Sequence, residues 1–294
     1  MKKLSAILTL CVCMLLSTTA FAGHAHYVNG IEGVKGASVP PPGQYWRSYN
    51  VFYNANTIKN NNGNKAAFNV DVFATVQRYI HTTNTKILGG DLVIGAIVPL
   101  TYTHVKAGGN GDTDFNLGDI FIEPFVLAWH GERSDSVLGI GAYLPTGKFN
   151  SNAMANAGKG YWTYMLTAGT TQYLSRDKSW SFAVLARYET HSSQRNTDYR
   201  AGDDFHFEWG LGKKLNDRVE LGLAGYCQWQ VRKDKNNRTY GNPNDKERVY
   251  AIGPEINLSI PKWKAAINLR SLWEFGGKNT TEGNITTLTF TKPI

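Results

Sequence analysis

The chain has 294 residues, 42% of them hydrophobic and 12% aromatic, with 30 glycines, a mean hydropathy of −0.33 and a formal net charge of +8. That hydropathy excludes a helical membrane protein, because beyond the first 22 residues no segment approaches the roughly 18 uninterrupted apolar residues a spanning helix needs. A nucleic-acid partner is excluded as well: the leader's two lysines lower the basic excess to +6, and what remains is scattered over loops rather than gathered into a stripe.

Lys2 and Lys3 precede an apolar run over residues 4–16, and Ala20-Phe21-Ala22 has the small-x-small pattern of a cleavage site. Residues 1–22 therefore read as a secretory signal peptide, with Gly23 as the first mature residue. The run is too short for a membrane anchor. Cys11 and Cys13 leave with it, and Cys227, on the apolar face of a strand, reads as packing rather than reactivity.

Residues 23–43 read as an irregular arm, with Gly30, Gly33 and Gly36 followed by Pro40, Pro41 and Pro42, which cannot donate to a sheet. His24 and His26 have no further ligands beside them and read as a solvated tail rather than a metal site. An aromatic-rich strand over 44–54 and an asparagine-rich loop over 56–64 come next. Phe68, Val70, Val72, Ala74 and Val76 then alternate with Asn69, Asp71, Phe73, Thr75 and Gln77, and a break at 82–85 leads to a second apolar alternation over 88–100. A glycine-rich loop is expected over 108–116, strands over 117–129 and 137–144, and a long loop over 145–159. Strands over 161–174 and 181–191 and a polar segment over 192–202 follow.

The clearest hairpin spans residues 203–232. Phe205, Phe207, Trp209 and Leu211 alternate with Asp204, His206, Glu208, Gly210 and Gly212; beyond a turn at Asn216 and Asp217, Val219, Leu221, Leu223, Cys227, Trp229 and Val231 alternate with Glu220, Gly222, Tyr226, Gln228 and Gln230. A loop over 233–246, a break at Pro261, a loop over 276–283 and a last short strand ending at Phe290 complete the chain, leaving 291–294 as a tail.

About twelve strands result, each near the roughly 9–11 residues that a tilted strand needs to cross a bilayer, and the loops between them alternate long and short. The expected fold is all-β: a transmembrane antiparallel up-and-down β-barrel over residues 44–290 in the cell outer membrane, with short periplasmic turns and longer extracellular loops. With lipid outside, the alternation assigns Asp71, Asp119, Glu123, Arg187, Glu189, His206, Glu208, Glu220, Glu255, Arg270 and Glu274 to the lumen, together with Asp91 and Asn268. These charges either pair across strands and stiffen a nearly closed interior or line a narrow solute path. Tyr45, Trp46, Tyr49, Tyr53, Tyr161, Trp162, Tyr164, Trp209 and Trp229 read as interfacial girdle residues.

Residues 141–148, GAYLPTGK, imitate a phosphate loop but have five residues between the glycines and Phe149 where Ser or Thr would bind magnesium. No serine-hydrolase elbow or zinc-protease motif is present in the sequence. The expectation is a non-enzyme, with no catalytic, cofactor-binding or metal site.

Several fragments together carry a family resemblance: Pro40-Pro41-Pro42-Gly43 before a tyrosine-rich strand, Leu117-Gly118-Asp119, Leu144-Pro145-Thr146-Gly147, Gly160-Tyr161-Trp162-Thr163, Thr197-Asp198-Tyr199-Arg200-Ala201-Gly202-Asp203, Gly225-Tyr226 and Ala251-Ile252-Gly253-Pro254-Glu255. In this order, over residues 40–290, the chain resembles outer-membrane proteins labelled as involved in the meta pathway of phenol degradation. The resemblance implies a barrel that passes small aromatic or other hydrophobic compounds, with outer-membrane lipids as its other partners. One departure is the tail after Phe290, where such barrels commonly finish on an aromatic. Alongside the channel stand a structural or surface-interaction barrel with a plugged lumen and, third, a lipid hydrolase using His191 or His206 with a serine.

Overall fold

The computed structural model describes residues 23–236 and 245–294. The leader expected over 1–22, with Cys11 and Cys13, lies outside the described residues, as does the middle of the loop expected over 233–246. Among the described residues thirteen strands follow the arm: β1 (Gly43–Lys59), β2 (Lys65–Ile87), β3 (Gly90–Ala107), β4 (Asn110–Leu117), β5 (Ile120–His130), β6 (Ser134–Leu144), β7 (Thr163–Tyr173), β8 (Trp180–His191), β9 (Asp204–Lys214), β10 (Val219–Gln230), β11 (Arg248–Ile260), β12 (Ala265–Lys278) and β13 (Thr281–Pro293). Every pairing is antiparallel, and β1 bonds to both β2 and β13, so the sheet closes. Strands β4 and β5 pair with successive halves of β3 on its same edge and form one stave interrupted at Gly118 and Asp119. The result is a closed 12-stranded barrel, which leaves no sheet edge unpaired in a medium where water cannot bond to it.

The short-turn end carries Leu88-Gly89, residues 131–133, 174–179 and 215–218, and a single 3-10 turn, Pro261–Trp263. At Leu88 and Gly89 both φ values are positive (50° and 78°), as the twist of a two-residue hairpin demands. The opposite end holds the long connections 145–162 and 192–203, and residues 231–236 and 245–247. Its other crossings are tighter than the sequence suggests. The glycine-rich stretch 108–116 is a two-residue turn, Gly108-Gly109, followed by β4, because a Gly-Gly pair supplies the two positive φ values that let the strands run on. The tail at 291–294 is likewise strand: β13 extends to Pro293, which pairs with Tyr45, and Ile294 donates its N–H to the carbonyl of Gln44. Sequence alternation stops at Phe290; the partner β1 continues the ladder past it.

The outer surface is apolar, as on β9, where Phe205, Phe207, Trp209 and Leu211 face out while Asp204, His206 and Glu208 are fully enclosed. Strands β1–β3 are apolar on the inner face as well. There Tyr49, Val51, Tyr53, Ala55, Val70, Val72, Ala74 and Val105 point inward and form the main apolar cluster. The lumen thus has two faces, one apolar on β1–β3 and one charged on β8–β12.

Candidate functional site

The arm runs inside the barrel. It enters at the short-turn end, where Pro40 accepts a hydrogen bond from Thr82 Oγ1 at 3.0 Å, and climbs to the long-loop end, where Gly23 meets residues 159 and 247. Its berth is made of glycines on β9 and β10. A Cβ on Gly210 would stand 2.5 Å from the N of Val34, and Cβ atoms on Gly212 and Gly222 would collide with the Val34 side chain. The small residues of this hairpin's inner face are therefore the footprint of a second chain segment packed against it.

The arm bonds its own backbone at the turn where Gly36 N–H meets the carbonyl of Gly33 and Ser38 N–H that of Lys35, and for much of the rest the wall supplies the partners. Glu189 accepts the N–H groups of His26 (2.7 Å) and Tyr27 (3.1 Å), and Glu208 those of Gly30 (2.6 Å) and Glu32 (3.1 Å). Glu255 accepts the N–H of Val34 at 3.1 Å, and Arg270 Nη1 donates to the carbonyl of Gly30 at 2.8 Å. These wall groups are also paired among themselves: Arg187 with Glu208 (2.8 Å), Arg270 with Glu255 (2.7 Å) and His206 with Glu189 (2.9 Å). Buried ions of this kind persist only where hydrogen bonds and opposite charge offset desolvation, and the arm provides part of both.

The arm's side chains add to the set. Glu32 accepts from Tyr49 OH at 2.6 Å and pairs with Arg47 (3.3 Å) and Arg78 (3.2 Å), the latter also bonded to Glu123 at 2.6 Å. Tyr27 donates to Glu208 at 2.7 Å, and the Arg187 guanidinium lies 3.7 Å over its ring. His26 stacks on Tyr143 and bridges Asp119 (2.8 Å) and Thr163 (2.7 Å); Thr163 is bonded in turn to His191, and His191 to Asp204 at 3.2 Å. At the long-loop end Lys159 Nζ donates to the carbonyls of Gly23, His24 and Ala25, at 2.7, 3.2 and 2.5 Å. Burial pulls the Lys159 ammonium down to about 8, against the nearby carboxylates of Glu189, Glu247, Asp204 and Asp119 that favour its charge.

Around the arm, Asp119, Glu123, Arg187, Glu189, His206, Glu208, Glu255 and Arg270 come together with it, and Asn268 bonds Glu255 at 2.7 Å. Glu220 stands lower, paired with Lys35 of the arm at 2.7 Å, and Asp91 pairs with Lys86 beside the Leu88-Gly89 turn. Glu274 accepts from Tyr53 and Tyr226 on the far side. Asp71 is a correction: Val70 and Val72 on either side of it face inward, so Asp71 faces out, bonded to Asn54 and Asn69. The sequence alternation on β2 has the right period and the wrong sign, because the wall beside the arm is apolar. Tyr49 and Tyr53 are corrections of the same origin, buried in the lumen rather than in a girdle, and Tyr161 is a third, buried in the connection before β7 against His24 and His26 of the arm. His24 and His26 are enclosed rather than solvated, held by carboxylates of the wall and loops. The residues missed from sequence, Tyr27, Glu32, Arg47, Arg78, Lys159 and Thr163, belong to the arm or touch it or its partners; the glycines of β9 and β10 packed against Gly33 and Val34 were the available signal of the arm itself.

The arm leaves a cavity of about 90 Å³ against the apolar wall, bounded by Tyr27, Val28, Val51, Ala74, Ile97 and Tyr143, and a second of about 60 Å³ near Arg47, Arg78 and Glu123. A wider mouth of about 370 Å³ opens at the short-turn end. Among the described residues no group of three or more potential ligands is placed to hold a metal ion.

The barrel is similar to an outer membrane channel of Pseudomonas putida F1, with a TM-score of 0.78 at 12% identity over 92% of this chain and 100% of that one. It is also similar to the β domain of the Bordetella autotransporter BrkA, with a TM-score of 0.54 at 12% identity over 87% and 100% of the two chains. The transport unit of the autotransporter AIDA-I from Escherichia coli gives 0.52 at 8% identity over 97% and 98%. At these identities the likeness speaks for the fold, that of outer-membrane barrels. No curated protein matches the sequence. A family model described as "Putative MetA-pathway of phenol degradation" matches residues 55–290, and with that match over most of its length the chain belongs to this family.

Proposed function

We propose that the protein is an outer-membrane channel for uptake of small hydrophobic or aromatic compounds, and that solute moves between the arm and the apolar wall of β1–β3. The observation that carries the reading is the two-faced lumen: the charged face is bonded to the arm through Glu189, Glu208, Glu255 and Arg270, whereas the apolar face borders the cavity at Val51, Ala74 and Ile97. A cavity of about 150 Å³ lined by apolar side chains is known to hold a benzene ring, so the present 90 Å³ admits one ring only when the arm shifts by a small amount. Uptake of a labelled single-ring aromatic into vesicles containing the purified protein tests this. Aromatic entry is expected to exceed that of a sugar of similar size, and Ala74→Trp is expected to suppress it. Equal rates in empty vesicles, or an unaltered rate in the Ala74→Trp variant, would sink the proposal.

The number of contacts between arm and wall favours a second reading, a barrel permanently plugged by its arm and serving a structural or surface role. Absence of aromatic uptake by a folded barrel supports that reading.

A further inference from the structure

The arm's first residues are held at the outer end of the lumen by more than the path of a plug requires. Glu247, buried just before β11, accepts the N–H of His24 at 3.1 Å, and its Oε2 would lie 3.4 Å from a Cβ placed on Gly23. His24 Nε2 is shared between Glu247 (3.2 Å) and Asp234 (3.6 Å), while its Nδ1 is bonded to Tyr199 OH at 2.8 Å. Lys159 does not pair with these acids, because its three donors go to three successive arm carbonyls. Burial holds the Glu247 carboxyl above the usual carboxylate range. The arrangement positions a buried carboxylate against Gly23, the residue that follows the Ala20-Phe21-Ala22 cleavage pattern, and on the N–H of the residue after it.

We propose that this corner is a binding site for the protein's own new N-terminus: hydrolysis of the Ala22–Gly23 bond frees an α-ammonium on Gly23 that pairs with Glu247, beside Asp234, and fixes the arm in the lumen. The bond is cleaved by water under an exported leader peptidase, leaving a carboxylate on Ala22 and the ammonium on Gly23. The ammonium brings a full positive charge and three donors where an uncut chain offers one N–H, facing two carboxylates that are themselves buried, where such a pair is worth more than at a surface. Seating of the arm thereby becomes conditional on processing, and the corner recognises a primary amine at the start of a chain. The inference rests on the arm as an internal segment of the channel; its test reads amine reactivity, which is independent of transport.

N-terminal sequencing of the protein purified from outer membranes is expected to begin at Gly23. Acylation of the folded protein near pH 7, followed by peptide mass analysis, is expected to modify Gly23 about tenfold more slowly than in the heat-unfolded chain, since each unit by which an ammonium is stabilised lowers the free amine tenfold. Glu247→Gln is expected to remove that protection. A second variant leaves every residue of the corner intact and inserts two serines after Ala22, displacing the ammonium by about 7 Å; rapid acylation is expected there too, in a barrel whose gel mobility still shifts on heating. A first residue other than Gly23, acylation of the folded protein as fast as the unfolded, or protection unchanged by the serine insertion would each overturn the proposal.

Discussion

Arg270 shows how individual side chains hold this lumen together. Its guanidinium bonds Glu255 and the carbonyl of Gly30, and both ionised groups are almost wholly buried. Removing one partner leaves the other as an uncompensated charge, so Arg270→Ala is expected to lower barrel stability by about 3–5 kcal/mol, read from urea unfolding in lipid vesicles. The paired change Arg270→Met with Glu255→Gln is expected to restore much of it. Lys159 gives the pH dependence. Its pKa falls to about 8 in the folded protein, below the roughly 10.4 of an unfolded lysine. Between these values the unfolded chain binds more protons, so the Lys159 contribution to unfolding free energy increases as pH rises from about 8 towards 10.4. Lys159→Met is expected to flatten the slope of stability against pH in that window. Asp71 marks the opposite case: it faces outward with Asn54 and Asn69, and Asp71→Asn is expected to leave uptake through the lumen unchanged.

Individual elements explain why some of these residues were legible and others were not. On β9 and β10 the apolar set faces outward and the polar set inward, so a period-2 reading puts His206, Glu208 and Glu220 on the face that the arm packs against. On β1 and β2 the same reading inverts Asp71 and misses Tyr49 and Tyr53, because both faces of those strands meet apolar surroundings, lipid on one side and the arm and cavity on the other. Alternation reports that two faces differ; it does not report which one is inside. The glycines of β9 and β10 are the element-scale trace of the arm. Gly210→Val is expected to evict residues 33–34 from their berth, raising ion conductance in planar bilayers, whereas conductance equal to that of the parent would show that the berth is dispensable.

Over the whole molecule, the barrel and its arm divide the labour of satisfying charge. Deleting residues 23–34 removes Glu32 but also every backbone N–H that Glu189, Glu208 and Glu255 accept, leaving those acids with Asp119, Asp204 and Glu123 on a wall whose permanent cations are Arg47, Arg78, Arg187 and Arg270. The opened barrel is expected to conduct and to favour cations, measured as a reversal potential across a salt gradient; anion selectivity would contradict this account of the lumen.

The sequence by itself determined the closed antiparallel barrel, its strand number, its division into a short-turn and a long-loop end and the outward apolar face of β9 and β10, because these follow from chain-local signals: alternation, turn chemistry and loop length. It also marked the arm as irregular, through its glycines and prolines. Only the tertiary structure decided that this arm lies inside the barrel, that His26, Lys159, Thr163 and Asp204 converge on it, and that β1–β3 turn an apolar face inward. Several of those outcomes join residues far apart in the chain, such as His26 and Asp119, 93 positions apart. A buried carboxylate that accepts a distant backbone N–H leaves no periodic mark on its own strand.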